Sequence, residues 1–212
     1  MRGADAYPLK RHVFCVLPLV LTIILLWVVV GPDASMTAFF SAQREMHPDL
    51  TRAMQIITTW ANIPVYMLYA LLFLSAWRKN NVSLRNFVLG AIAGCFAAFV
   101  LNEVCKITFG RQRPLVGNGF EPFSFTNANH SFPSGHTTRI VAAILPLAQR
   151  YGDVLLPLAL GCLAALVGFS RVYLSRHYPS DILGGLITGS IGGYVAWRVS
   201  RMRSIHQPRA DV

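Results

Sequence analysis

Apolar runs long enough to cross a bilayer constrain this chain more than any other feature. A hydrocarbon layer of ~30 Å needs ~20 consecutive, mostly apolar helical residues. Runs bounded by charges and turn residues fall at about 13–31, 54–77, 84–105, 135–150, 154–173 and 180–198. They predict an all-α, polytopic membrane protein with six transmembrane helices in a single domain over residues 1–212. Composition agrees, since 54% of the residues are hydrophobic and 13% are charged, against roughly 25% charged in soluble domains. The first run follows Lys10 and Arg11 as a secretory signal would. It exceeds a ~7–15-residue signal core and no small-x-small site follows it, so it is read as a retained span.

The net charge of +10 would suggest nucleic acid in a soluble protein, but the cations sit at the ends of apolar runs and point to membrane orientation instead. With a cytoplasmic N-terminus, the inner segments collect Arg2, Lys10, Arg11, Arg78, Lys79, Arg85, Arg150, Arg198, Arg201, Arg203 and Arg209. Both termini are then cytoplasmic, and the outer segments are 32–53, 106–134 and 174–179. The stretch from about 35 to 53 mixes Met36, Phe39, Phe40, Met46 and Leu50 with Arg44, Glu45 and Arg52, as an interfacial helix or a plain connector would. The fourth run is short and carries Arg139; its start is expected in protein or a water-filled cavity below the membrane surface.

Three motifs occupy outer span ends. Lys106 is followed at seven residues by Arg113-Pro114; Pro133-Ser134-Gly135-His136 opens the fourth span; Ser170-Arg171 closes the fifth, and His177 and Asp181 flank the start of the sixth. Each alone has a structural reading: headgroup anchors, a helix start with Ser134 as N-cap, a capped helix with a satisfied histidine. Together on one face they describe an anion site, because cations, two histidines and an acid are expensive in lipid unless they share a polar cavity. Phosphoryl transfer fits: Lys106, Arg113 and Arg171 would hold the equatorial oxygens, with Ser134, Gly135 and the fourth span's N-terminus adding donors. His177, held by the Asp181 carboxylate, would attack phosphorus, and His136 would protonate the leaving oxygen and then activate water. No metal or other cofactor is required by this scheme, and no carboxylate cluster suggests one.

Other residues have plainer readings. Cys15, Cys95, Cys105 and Cys162 lack ligand spacing and are read as packing residues. His12, His47 and His206 are expected to be solvated, and His130 is a candidate for the pocket mouth. Glu103, three residues before Lys106, can pair with it across one helical turn.

The elements K-x-x-x-x-x-x-R-P, P-S-G-H and S-R-x-x-x-x-x-H-x-x-x-D, complete and in this order over 106–181, resemble the signature of the type-2 phosphatidic acid phosphatase superfamily. The resemblance implies a six-helix core with an outward-facing site, a covalent intermediate on His177 and no metal. It implies a bacterial inner-membrane enzyme with a periplasmic site and an envelope lipid as substrate: undecaprenyl pyrophosphate, phosphatidylglycerophosphate, phosphatidic acid or lipid A. The partners are then the lipid phosphate and the bilayer, with no nucleic acid. A lipid phosphotransferase using the same intermediate is the alternative, and a non-enzymatic anion or lipid transporter is a third reading.

Overall fold

The computed structural model describes residues 6–151 and 153–205. Arg2, His206 and Arg209, and the side chain of Arg203, lie outside the described residues. Within them the chain contains no strand, only helices and an isolated antiparallel bridge between Arg111 and Phe120. In order these are α1 (Leu9–Val29), α2 (Asp33–Met46), α3 (Pro48–Trp60), α4 (Asn62–Arg78), α5 (Val82–Phe109), a 3₁₀ turn at Asn127–Asn129, α6 (Gly135–Arg150), α7 (Leu155–Tyr173) and α8 (Pro179–Ile205).

Four stretches of the described residues are long and apolar enough to cross a membrane: α1, the α3–α4 stretch Pro48–Arg78, α5 and α7. The expected first span therefore starts a turn early, at Leu9, and takes in Lys10 and Arg11. The expected interfacial stretch is two helices, α2 and the beginning of α3, which break at His47 where Pro48 takes the first helical position. The expected second span is also interrupted, at Ala61 between α3 and α4. The last two differences from the expected spans lie in α6 and α8, and packing explains them.

α6 has 16 residues, about 24 Å at ~1.5 Å per residue, short of the hydrocarbon thickness. It is surrounded by α1, α4, α5, α7 and α8. From Thr137 to Gln149 every residue is buried except Arg139, so α6 meets protein instead of lipid. α8 packs on both α5 and α6 through small residues. A Cβ on Gly94 of α5 would lie 2.3 Å from the Gly192 carbonyl oxygen of α8, and one on Gly189 would lie 2.7 Å from Val141 Cβ of α6. Close backbone approach of this kind is the usual means of helix association in lipid. Leu21, Leu25, Met67, Leu71 and Phe96 remain exposed on the outside, a surface suited to lipid and not to water.

The bundle has two unlike ends. At one, Arg11 donates to the Gln149 carbonyl (2.8 Å) and Tyr7 packs on Trp197. At the other meet the end of α5, the start of α6, the end of α7 and the start of α8. Gly110, at φ +57°, turns the chain out of α5 in a left-handed conformation open to glycine and starts the loop that closes this end.

Cys15 is buried, Cys95 and Cys105 are half-buried and Cys162 is exposed; all four are free thiols. His47 is exposed as expected. His12 is not solvated: its Nδ1 lies 2.6 Å from the Tyr7 hydroxyl, and the ring is half-buried.

Candidate active site

The start of α8 is built around Asp181. Pro179 opens the helix, and the Asp181 carboxylate, two residues on, accepts the Tyr178 backbone N–H at 2.8 Å. This is the reciprocal half of a capping box. The same oxygen accepts the Ser131 hydroxyl (2.6 Å), and the other accepts Arg111 Nη1 (2.6 Å). The Asp181 carbonyl takes the Ser134 N–H (3.0 Å). A fully buried carboxylate with this many donors is held ionised. It ties together α8, the 110–134 loop and the turn into α6.

His177 is 3% exposed. Its Nδ1 lies 2.7 Å from the Ser131 carbonyl and 3.7 Å from Asp181 Oδ2. The expected direct hydrogen bond to Asp181 is thus replaced by one to Ser131, whose hydroxyl Asp181 holds. A carbonyl only accepts, so Nδ1 carries the ring proton and Nε2 has the lone pair. Burial pulls the imidazole pKa down to about 4; Asp181 opposes the shift, and Arg171 and Arg113 add to it. The ring is neutral at neutral pH.

The expected cations gather at this end of the bundle, in two groups. Arg113 donates from Nε to the Asn127 carbonyl (3.0 Å) and from Nη2 to the Asn127 side chain (3.1 Å). Burial, then the neighbouring Arg176 charge, lowers its pKa. Arg171, buried, donates to Thr58 Oγ1 (2.9 Å), and its Nε has no partner. Together with Asn127, Ala128 and Arg176 these two arginines line an open cleft of about 430 Å³. Lys106 lies apart, paired with Glu103 at 2.6 Å as anticipated, in a narrower cleft of about 80 Å³ with Phe99, Asn102, Glu103, Gly135, Thr138 and Arg139.

His136, half-buried, links the groups: Arg171, Arg139, His177 and Lys106 all lie close enough to act electrostatically on its ring. Gly135 keeps the floor open, since a Cβ there would stand 3.2 Å from Lys106 Nζ. Ser134 occupies the N-cap position of α6, but its hydroxyl caps nothing; it is fully buried and accepts from Thr137 (3.2 Å). Its own N–H is committed to Asp181. The donors left for an anion are the first-turn amides of α6, at the positive end of its dipole. His130 does not face this space with a free ring, because its Nε2 donates to the Ser124 carbonyl (2.9 Å).

Arg111 is the main residue that motif reading passes over. Besides Asp181 it reaches Ser180 Oγ (2.6 Å) and Asp33 (3.0 Å), and it stacks 4.3 Å over the Tyr178 ring. Its only sequence signal is a place in Gly-Arg-Gln-Arg-Pro, two residues from the motif arginine. Ser131, which aims His177 through its backbone, carries no signal in its side-chain type. Among the described residues, no group of three or more His, Cys, Asp or Glu side chains is placed to hold a metal ion.

The family model described as the PAP2 superfamily matches residues 86–205. Undecaprenyl-diphosphatase BcrC of Bacillus subtilis is 32% identical over 151 residues, covering 71% of this chain and 75% of that protein. A lipid A 1-phosphatase of Rhizobium etli is 36% identical over 98 residues, 42% of this chain and 40% of its own. Phosphatidylglycerophosphatase B of Bacillus subtilis is 34% identical over 100 residues, 42% and 46% respectively. No solved structure matches the chain.

Proposed function

The chain belongs to the PAP2 superfamily, and from that premise we propose that it hydrolyses the phosphate or diphosphate of a bacterial envelope lipid through a phospho-histidine on His177, without a metal. That it is an enzyme acting on lipid phosphates follows from the family and from relatives named as such phosphatases. The observation that carries the mechanism is the His177 tautomer. With Nδ1–H donated to the Ser131 carbonyl, Nε2 presents its lone pair to phosphorus.

The P–N bond forms as the P–O bond to the lipid breaks, with charge on the equatorial oxygens met by Arg113, Arg171, Lys106 and the amides of α6. With the anionic substrate offsetting the surrounding cations, His136 holds the proton that it gives to the departing oxygen. It then takes one from water, which attacks phosphorus and releases inorganic phosphate and free His177. Asp181 holds this geometry through Ser131.

The enzyme would cross the inner membrane six times, α6 as a protein-sheathed span, with both termini cytoplasmic and the site on the periplasmic face. The support is the gathering of Lys10, Arg11 and Arg150 at the bundle end opposite the site, as the positive-inside bias requires. Undecaprenyl diphosphate is the first substrate to test, because the relative spanning 71% of the chain is named for it.

Purified protein in detergent with EDTA should release inorganic phosphate from it, and His177→Ala should lower the rate by at least about a thousandfold. Activity abolished by EDTA, or surviving in His177→Ala, refutes the mechanism. Labelled phosphate found on an acceptor lipid instead of in solution makes the enzyme a transferase.

A further inference from the structure

Arg139 is unexplained by this scheme. It is the one exposed residue in the otherwise buried Thr137–Gln149 stretch of α6. A cation on the flank of a membrane helix is costly unless it is met by a ligand or reaches the surface. The side chain folds back along α6, as helical side chains do. Its Nε donates to the Gly135 carbonyl at 3.0 Å, which draws the guanidinium back toward the first turn of the helix. Among the described residues no carboxylate pairs with it, and its terminal nitrogens make no hydrogen bond there.

It shares the narrow cleft with Lys106 and Gly135, beside exposed Phe99 of α5. The Glu103 carboxylate in this cleft is committed to Lys106. At about 80 Å³ the space equals two to three waters of ~30 Å³ each, enough for one compact anionic group and too little for a sugar.

We propose that Arg139, in the cleft beside Lys106 of the cradle, forms a subsite for the second phosphate of a lipid diphosphate, which makes Arg139 a specificity-determining residue. The proposal rests on the His177 reaction above. The terminal phosphate lies among Arg113, Arg171, Lys106 and the α6 amides, and the lipid-linked phosphate lies against Arg139 on the bundle's flank. As His177 Nε2 bonds to the terminal phosphorus, the bridging P–O bond breaks. Its electron pair leaves on a lipid monophosphate whose charge the Arg139 fork receives. Water then cleaves the phospho-histidine, so one diphosphate and one water give lipid monophosphate and inorganic phosphate. A lipid monophosphate substrate leaves this subsite without a charged occupant.

The test is the ratio of kcat/KM for farnesyl diphosphate to that for farnesyl monophosphate, measured on the full chain in detergent micelles. The wild type should favour the diphosphate. Arg139→Ala and Arg139→Gln should lower the ratio by about tenfold or more, the worth of a charge-assisted hydrogen bond, and Arg139→Lys should restore part of it. A wild type that prefers the monophosphate overturns the subsite. So does an unaltered ratio in the Ala and Gln variants, whether both substrates slow alike or neither does. Should Arg139→Ala fail to fold, the Gln and Lys variants, checked by their monophosphate activity, carry the comparison. The His177→Ala control is separate: activity surviving there refutes the reaction itself, whereas the ratio speaks to the subsite alone.

Discussion

At the scale of single residues, the arrangement depends on one largely buried arginine held between two carboxylates. Arg111 bridges Asp181 and Asp33 with its side chain 13% exposed, against a fully buried Asp181. Removing one partner of such a pair strands the other charge and typically costs about 3–5 kcal/mol. Arg111→Ala should therefore lower the thermal unfolding midpoint in detergent markedly. Arg111→Lys should fall between, since a single ammonium cannot span both carboxylates as a planar fork does. Equal midpoints for wild type and Arg111→Ala would show that the carboxylates find other partners. The residues legible in the sequence were those whose chemistry is rare at a span end: Lys106, Arg113, His136, Arg171, His177 and Asp181. Ser131 was not legible, because it orients His177 through a backbone carbonyl that every residue possesses. Arg111 was hidden by its neighbour, one arginine among two in a short loop with nothing local to rank them.

At the scale of elements, hydrophobic runs located the lipid-facing helices well and the sheathed ones less well. α1, α5 and α7 expose apolar side chains on the outside of the bundle, so apolar length reports them directly. α6 is enclosed by protein, and its length answers to its neighbours instead of to the bilayer; a sequence run cannot distinguish the two solvents. The break between α3 and α4 does have a sequence mark, Asn62 and Pro64 just after Ala61, which the apolar run taken as a whole passes over. α8 is held to α5 by the absence of side chains, and this gives a direct test. Gly94→Leu would force a Cβ within 2.3 Å of the Gly192 carbonyl. Separating the helices should cost about 1–3 kcal/mol or more, as overpacking does, seen as a lower unfolding midpoint. Gly94→Ala should lower it less, and Phe96→Leu, on the outer face of the same helix, should leave it nearly unmoved. A Gly94→Leu variant as stable as wild type would mean that α5 and α8 do not pack this closely.

At the scale of the whole molecule, Lys10, Arg11 and Arg150 lie at the end of the bundle opposite the site. In a background without the native cysteines, Phe125→Cys in the site loop should react with a membrane-impermeant maleimide in intact cells once the outer barrier is passed. Lys79→Cys, at the other end, should react only after the inner membrane is opened. The reverse pattern would invert the orientation proposed for the enzyme. The position of α8 against both α5 and α6 also bears on how the protein is made. A chain leaves the ribosome from its N-terminus, so α6 is synthesised before the helix that shields it and before Asp181, which secures Arg111 and Ser131. Until α8 packs, His177 lacks the support of Asp181, and the proposed phosphate cradle stays unassembled. A nascent chain halted after α7 should thus be catalytically silent, with the α8-facing side of α6 available to membrane chaperones or proteases.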